Sequence, residues 1–347
     1  MVFQGYFEAN GPDVFERILA GGDSEKHVLE SDPGAGRIQP IHGGSLLGVV
    51  EFSRGCGRGC KFCAMARHKM IHLDSDTILS DLETNVAAGV RSVVSGSEDL
   101  FRYGTNNARP NFDALYDLLT QVRQIKGLSF MQIDHGNITS VLQLTDEQLR
   151  EIRRLLTWEK KTDYLWVNMG AESANGHLVA RHSPGKIAPF RPEDWADMIR
   201  QSAERMNRNG FFPVYSLVLG LPGETPADVQ ATLELVKDLR KRRAVIFPVF
   251  YEPILTEEIE ADRRFTLAKM RLDQLELYKT CYEINFAQVP RLFWDNQRAG
   301  GVPWLKRAAM QVLGKGEVFT WRRTFRKQQR QLAGLAGISY EEEQAYA

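Results

Sequence analysis

The chain of 347 residues has the composition of an ordinary folded protein, with 43% hydrophobic and 25% charged residues. Lys plus Arg and Asp plus Glu both number 44, so the overall charge does not favour nucleic acid or a membrane as partner. The sequence shows no apolar run of membrane-span length and no signal-peptide pattern at its start, which predicts a cytoplasmic protein. Thiols stay reduced in that compartment, so clustered cysteines indicate a metal or catalytic site rather than disulfides.

From residue 45 onward, apolar segments alternate with amphipathic helices, a pattern typical of repeated β-α units and a parallel sheet. The predicted strands are 45–52, 90–96, 128–134, 164–170, 211–220 and 244–251. Six units in series fit either a partial TIM-like barrel or an open doubly wound sheet, and periodicity does not choose between them. Both folds gather ligands at the C-terminal ends of the strands, so the residues there are the first candidates for a site.

The segments between these strands carry helix start and stop signals. Thr145 with Gln148 forms a capping-box pattern, and Thr225 precedes a proline in a first helical turn. A charged helix at about 192–209 ends at Gly210. The other two helices are marked by apolar stripes, formed by Ile78, Leu79, Leu82 and Val86 after Asp76, and by Leu115, Leu118, Leu119, Val122 and Ile125.

The predicted organisation has three parts. Residues 1–44 form a linker-like extension with a short helix at 11–22, residues 45–255 form the barrel, and residues 256–347 form a helical extension. The chain shows no internal repeat and no low-complexity tract, so one α/β domain with appendages accounts for its length.

Three of the four cysteines follow the first predicted strand with the spacing C-x3-C-x2-C. They are Cys56, Cys60 and Cys63. On a helix they would share one face, but the glycines at 55, 57 and 59 make a poor helix and a good wrapping loop. Such a loop suits an iron–sulfur cube, whose sulfurs accept backbone N–H groups.

Two other interpretations of the cysteines concern zinc and packing. Three thiolates with His68 or His72 would satisfy a tetrahedral zinc site, which makes a zinc-stabilised nucleic-acid-binding protein the alternative of a different class. The fourth cysteine, Cys281, is more than two hundred residues away and is interpreted as a buried core cysteine.

The cysteine loop, with Phe62 before its last cysteine, resembles the signature of the radical S-adenosylmethionine (SAM) superfamily. The resemblance implies a [4Fe–4S] cluster held by Cys56, Cys60 and Cys63, with SAM bound to the fourth iron. One electron, from a donor such as flavodoxin or ferredoxin, then cleaves SAM to methionine and a 5′-deoxyadenosyl radical that abstracts hydrogen from a substrate. The implied fold is a partial (β/α)6 barrel.

Later segments resemble further motifs of this superfamily, at the ends of later strands. The resemblance implies SAM contacts from Phe62, Gly96, Ser97, Glu98, Glu172, Ser173, Lys186, Leu219 and Leu221. Arg181 is an alternative to Lys186 as partner of the SAM carboxylate. A substrate pocket is expected at Tyr103, His135, Asn168, Tyr251 and Glu252, and His177 and His182 are expected on a helix surface.

Within the superfamily, the sequence resembles the barrel portion of the branch that often carries a cobalamin-binding domain. Only 55 residues precede Cys56, and the sequence contains no Asp-x-His-x-x-Gly cobalamin motif. We therefore expect hydrogen abstraction from a small-molecule or lipid-like substrate, leading to rearrangement, cyclisation, C–C bond formation or methylation. A methyltransferase with cobalamin from another subunit is the alternative.

The segment near the C-terminus combines aromatic and basic residues. Trp294, Trp304, Phe319, Trp321 and Phe325 alternate with eight Lys and Arg between residues 306 and 330. A helical cap with a solvated basic face is one interpretation. A weak contact with an anionic membrane surface, or a patch for RNA or an anionic substrate, is the other.

Overall fold

The computed structural model describes residues 3–4, 27–28, 38–157, 165–253, 264–299 and 302–335. The helix expected at 11–22 therefore lies outside the described residues, as does most of the extension expected at 1–44.

Six parallel strands form the centre of the fold and confirm the predicted β-α pattern. They are β1 (Val49–Glu51), β2 (Ser92–Gly96), β3 (Phe130–Ile133), β4 (Leu165–Glu172), β5 (Phe211–Leu219) and β6 (Val245–Phe250). The strands pair as β1-β2-β3 and β4-β5-β6. A parallel bridge between His135 and Asn168 joins the two groups, so the order in space follows the order in the chain.

This consecutive order decides between the two folds that periodicity left open. A doubly wound sheet changes direction at a switch point, whereas strands of a barrel follow one another around its axis. The fold is therefore a partial α/β barrel of six strands.

The first strand is shorter than the segment 45–52 that the sequence predicts. Leu46–Gly48 forms a 3-10 turn, and only Val49–Glu51 pairs with β2. Two adjacent residues interrupt the strand, because Leu47 and Gly48 have φ of 58° and 69°, both in the left-handed region. A side chain at Gly48 would also lie 2.6 Å from the Ser92 carbonyl oxygen, so glycine allows the close approach to β2.

Helices cover the outside of the barrel, and two long helices follow it. They are α1 (Ser75–Ala87), α2 (Phe112–Val122), α3 (Ile138–Gln143), α4 (Asp146–Thr157), α5 (Gly176–His182), α6 (Trp195–Arg208), α7 (Pro226–Leu239), α8 (Leu272–Ala299) and α9 (Trp304–Leu335). Among the described residues, no helix is both long enough and apolar enough to cross a bilayer.

The predicted helix starts are confirmed by side-chain hydrogen bonds. Before α4, the Thr145 amide donates to Gln148 Oε1 (2.9 Å) and the Gln148 amide donates to Thr145 Oγ1 (3.1 Å). Before α7, Thr225 forms the same reciprocal arrangement with Asp228. These contacts satisfy amides that have no partner within the helix, and so fix where each helix begins.

The main core lies between the sheet and the surrounding helices. In β4, Leu165, Val167 and Met169 point toward the helices and are almost fully buried, while Trp166 between them is 39% exposed. This alternation assigns one face of the sheet to the core and the other to the inside of the barrel.

The open edge of β6 is covered by α8. In the described part of the chain, β6 pairs with β5 only. Asn285 of α8 accepts from the Ile246 amide (2.9 Å) and donates to the Ile246 carbonyl oxygen (2.7 Å), as a neighbouring strand would. Pro248 lies in the same strand and offers no amide to a further strand. Helix α9 in turn packs on α8.

Candidate active site

The cysteines lie in an irregular loop at the C-terminal end of the barrel strands, as the glycine pattern predicts. Gly55 has φ of 78°, and a Cβ there would lie 2.2 Å from the Lys69 carbonyl oxygen. The Cys56 amide donates to the carbonyl oxygens of Met65 (3.1 Å) and His68 (3.0 Å). The loop thus folds back on itself, and the sequence tolerates only glycine where its two arms meet.

The three thiols of this loop are close to the protein interior. Cys60 is buried, Cys56 and Cys63 are half-buried, and all four cysteines of the chain are free. Burial raises the pKa of Cys56 to about 11, although nearby Arg58 works in the opposite direction, and burial also raises the pKa of Cys63. Cys56 and Cys63 therefore keep their protons until a metal displaces them.

A buried ion pair supports the loop from below. The Arg58 guanidinium, between the first two cysteines, donates to Asp99 Oδ2 (2.9 Å), and the side chains of both residues are at most 5% exposed. Ser140 Oγ donates to the same carboxylate oxygen (2.7 Å), and Arg58 also donates to the Gly185 carbonyl oxygen (3.0 Å). One side chain therefore connects the cysteine loop to the segments after β2, β3 and β4.

A second buried ion pair lies at the end of β4. The Lys186 ammonium contacts the Glu172 carboxylate directly, with both side chains at most 10% exposed. Burial disfavours the charge on Lys186, but the Glu172 carboxylate and the nearby Cys60 outweigh it, so the pKa of Lys186 is raised. Lys186 and Arg58 thus place positive charge beside the cysteines, where thiolates bound to metal would add negative charge.

The backbone carrying Glu172 is locally irregular. The pairing of β4 with β5 shifts between Gly170 and Glu172, and Glu172 has a positive φ of 60°. Trp195 Nε1 donates to the carbonyl oxygens of Ala171 (3.0 Å) and Ser173 (3.1 Å), on either side of Glu172. A residue held in this sparsely populated conformation by buried contacts is typical of functional sites.

The end of β2 brings a half-buried carboxyl group to the same side of the barrel. The Ser53 and Ser97 hydroxyls share a hydrogen bond of 2.6 Å, which ties this end to the segment after β1. Burial raises the pKa of Glu98, which faces His135 and Asp134 at the end of β3. Glu98 is therefore the side chain of the Gly96–Glu98 segment that is available to a ligand.

Apolar side chains gather on the other side of the cysteine loop. Phe62 packs edge-on against Tyr251 at a ring distance of 6.4 Å, and Leu178 and Leu221 belong to the same small cluster. The Tyr251 amide donates to the Leu219 carbonyl oxygen (2.9 Å), which holds the ends of β5 and β6 together. The cluster can provide an apolar wall for a planar ring.

The remaining predicted site residues have partners within the protein. Tyr103 is buried and its hydroxyl donates to the Leu73 carbonyl oxygen (2.9 Å). Ser173 is buried with its hydroxyl toward Thr232 (3.3 Å), and Asn168 Nδ2 donates to the Asp134 carbonyl oxygen (2.9 Å). Glu252 is exposed and pairs with Arg264 (2.7 Å). These contacts show what the four side chains bind within the protein, and their ligand roles stay predictions.

One of the two histidine predictions at α5 is wrong. His177 is exposed as expected, but His182 is buried and its Nε2 donates to the Pro222 carbonyl oxygen (2.7 Å). The His182 carbonyl oxygen accepts from the Lys61 amide (2.8 Å). His182 is buried because it joins the cysteine loop to the turn after β5, a contact between segments far apart in the chain.

The ligands that a single zinc ion would need are not gathered here. In the ranges that the structure describes, no three His, Cys, Asp or Glu side chains are grouped so that they could hold one metal ion. His72 is held elsewhere, since its Nε2 donates to the Thr105 carbonyl oxygen (3.0 Å). The cysteines of an iron–sulfur cube each bind a different iron, so that group does not require three donors to converge on one point.

Comparison with protein families decides the identity of the barrel. The model of the radical SAM superfamily matches residues 50–236, which is more than half of the chain. The chain belongs to the radical SAM superfamily. This superfamily uses a [4Fe–4S] cluster and SAM, and membership in it is what the cysteine loop predicts.

Curated radical SAM relatives match over part of their length. The chain is 27% identical over 224 residues to the ribosomal protein uS12 methylthiotransferase RimO of Leptospira biflexa, covering 59% of this chain and 41% of the relative. It is 23% identical over 201 residues to a protein of Archaeoglobus fulgidus named "Probable threonylcarbamoyladenosine tRNA methylthiotransferase", covering 56% and 43%. The chain thus spans about two fifths of the length of these relatives.

Solved structures include a distant match. The radical SAM methyltransferase TsrM of Kitasatospora setae, solved with cobalamin and a [4Fe–4S] cluster bound, is 15% identical with a TM-score of 0.41. The match covers 58% of this chain and 34% of TsrM.

The sequence does not reveal the groups that support the site from a distance. Arg58 lies inside the motif and has no assigned role in it, and Asp99 directly follows the segment compared with the superfamily. Trp195 stands at the start of a helix like many core aromatics. Their roles follow from contacts between segments separated by about 20 to 130 residues, for which a single sequence carries no pattern.

Proposed function

We propose that Cys56, Cys60 and Cys63 hold a [4Fe–4S] cluster and that residues 45–255 act as the catalytic barrel around it. The observation that carries this proposal is the position of the three thiols, in one glycine loop directly after β1 and inside the segment matched to the superfamily. The donor set fits the group, because the thiols are free and lie in one glycine-rich loop, and two buried ion pairs, Arg58 with Asp99 and Lys186 with Glu172, hold the surrounding segments in place.

When bound, such a cluster supplies the electron that cleaves SAM to methionine and a 5′-deoxyadenosyl radical. The protein's own residues bind, orient and shield. We assign Glu98 to the SAM ammonium, because a half-buried carboxylate complements that charge. We assign the wall of Phe62, Leu221 and Tyr251 to the adenine ring. Lys186 stays paired with Glu172, and the pair orients the end of β4 beside Cys60.

We further propose hydrogen abstraction from a small-molecule or lipid-like substrate rather than methylthio transfer. Methylthio transfer is the activity named for the relatives, on a ribosomal protein and on tRNA. Among the described residues, the cysteine outside the loop is Cys281, which is fully buried in α8 with its pKa raised by burial, so it is not placed to bind a second cluster. A macromolecular substrate is the competing assignment that the relatives suggest.

The cluster assignment is tested with anaerobically purified protein, reconstituted with iron and sulfide. We expect about four irons per chain, a brown colour, and 5′-deoxyadenosine on addition of SAM and dithionite. Cys60→Ala is expected to lose both the cluster and this product. Cys281→Ala removes a thiol of equal size from the core and is expected to keep both. Colourless protein with stoichiometric zinc would contradict the proposal.

The substrate assignment is tested separately with the loaded enzyme. Deuterium transferred into 5′-deoxyadenosine from a deuterated lipid extract would support a lipid-like substrate. Transfer from a deuterated ribosomal or tRNA fraction, or methylthio product in that fraction, would contradict it. Added cobalamin distinguishes the alternative, because a cobalamin-dependent methyltransferase forms methylated product only when cobalamin is present.

A further inference from the structure

Helix α9 has two faces, and one of them packs against α8. Phe325 is buried between the two helices, with ring distances of 5.4 Å to Tyr282 and 5.7 Å to Trp321. On the same side, Arg322 pairs with Glu283 of α8 (2.7 Å). The orientation of the helix is therefore fixed by contacts along its C-terminal half.

The opposite face of α9 carries large apolar side chains in its N-terminal half. These side chains are between 64% and 74% exposed, and they are Leu305, Val312, Leu313 and Phe319. Leu305, Val312 and Phe319 are seven residues apart, which is two helical turns, so they lie in one row. Single exposed apolar residues are common, but several large exposed apolar side chains on one side of a helix indicate a surface that another apolar phase covers.

On the same side of α9, basic side chains follow the apolar row in the C-terminal half of the helix. Arg323, Arg326, Lys327 and Arg330 are exposed and lie one to three turns beyond Phe319. Helix α9 contains eight Lys and Arg and a single acid, Glu317, although the whole chain has a net charge of zero. Positive charge is therefore concentrated next to the apolar row.

We propose that this outer face of α9 docks on an anionic lipid surface, with the helix lying in the interface. The apolar row would enter the boundary between headgroups and acyl chains, and the adjacent basic side chains would bind lipid phosphates and carboxylates. RNA would bind the basic side chains, but it would not bury the exposed leucines and valine. A lipid surface contacts both kinds of side chain, so we favour lipid. This inference goes beyond the proposed function and does not depend on it.

The test is flotation of the full chain with vesicles of phosphatidylcholine containing about 30% phosphatidylserine. We expect binding to these vesicles, little binding to pure phosphatidylcholine, and weaker binding as salt rises. The triple variant Arg323→Gln, Arg326→Gln, Lys327→Gln is expected to bind about 100-fold more weakly. The double variant Leu305→Ser, Leu313→Ser is expected to lose more than about tenfold.

A matched control removes three exposed charges elsewhere. Arg91→Gln, Arg109→Gln, Lys126→Gln changes the net charge equally, away from α9, and is expected to bind as the unchanged protein does. Circular dichroism and light scattering show that each variant is folded and monodisperse. Because α9 lies outside residues 50–236, loaded variants are expected to form 5′-deoxyadenosine at the unchanged rate, so a failed cluster and a failed membrane contact are distinguishable.

Three outcomes would overturn the proposal. The first is equal binding to neutral and anionic vesicles in all variants. The second is a concentration-dependent dimer that Leu305→Ser, Leu313→Ser abolishes, without vesicle binding. The third is tighter binding to a structured RNA than to the anionic vesicles, lost in the triple charge variant.

Discussion

Single side chains decide how rigidly the cysteine loop is held. Arg58 is placed inside the loop by the chain, yet its partners come from three other segments, and Asp99 and Ser140 form the buried end of that network. Charges taken out of water cost free energy unless they are paired and hydrogen-bonded. The two charges are paired through Arg58 Nη2 and Asp99 Oδ2, whereas Arg58 Nε and Asp99 Oδ1 are buried without a hydrogen-bond partner. The network thus fixes the distance between the cysteines and the strand ends that are proposed to bind SAM.

Removing the Asp99 charge tests this role. Asp99→Asn leaves the Arg58 guanidinium buried without a counter-charge, so we expect the free energy of unfolding to fall by about 3 kcal/mol in urea titrations. We also expect fewer irons per chain after reconstitution and a changed electron paramagnetic resonance spectrum of the remaining cluster. Glu151→Gln breaks an exposed pair with Arg154 and serves as control, with an expected cost below about 1 kcal/mol. An unchanged iron content and spectrum in Asp99→Asn would contradict the role.

Ion pairs join helices α4 and α6 outside the cysteine loop. Asp146, in the first turn of α4, accepts from Arg205 (3.0 Å) and Arg208 (2.8 Å) in the last turn of α6, and from Asn209 (3.1 Å). An acid at a helix start and cations at a helix end are both favourable with the helix dipoles. The contact therefore stabilises two helix termini and their packing at once.

This contact predicts a pH dependence of stability. The hydrogen bond from Arg208, with those from Asn209 and Arg205, holds the pKa of Asp146 well below its usual value. A lowered pKa contributes stability that is fully present above about pH 5 and is lost as the pH falls below about 4. We expect Asp146→Asn to lower the free energy of unfolding by about 1 kcal/mol at pH 7. At lower pH we expect a smaller difference in this free energy between the variant and the unchanged protein. Urea unfolding of both proteins at several pH values measures this difference, and a difference that does not change with pH would contradict the prediction.

At the scale of the whole molecule, regular patterns were predictable and long-range contacts were not. The six strands and the five helices marked by start signals or stripes follow from apolar periodicity and capping residues, because those signals are local. The order of the strands could not be predicted, because it follows from the pairing of Asn168 with His135 in the structure. Gly48 lies close to Ser92 where β1 is shortened, and His182 was buried by Pro222, both of which are distant in sequence.

The same reasoning applies to the candidate site. The cysteine loop was predictable since its cysteines and glycines are close together in the sequence, and the structure confirms the loop conformation. The contacts of Tyr103, Ser173 and Asn168 with the protein itself were not, because a motif names a residue without showing the direction of its side chain. Their ligand roles, like those of the cysteines, stay predictions.

The Asn285 side chain has a consequence for local unfolding of the barrel. Because it replaces a seventh strand at Ile246, that amide exchanges with solvent deuterium only when α8 moves away from β6. We expect Asn285→Ala to speed exchange at Ile246 by more than about tenfold, while amides of β5, which has a strand on each side, keep their protection. Equal acceleration in both strands would show instead that the barrel opens as one unit. The exchange rate of one amide would then report how firmly the C-terminal helices, including the face assigned to lipid, are anchored to the catalytic barrel.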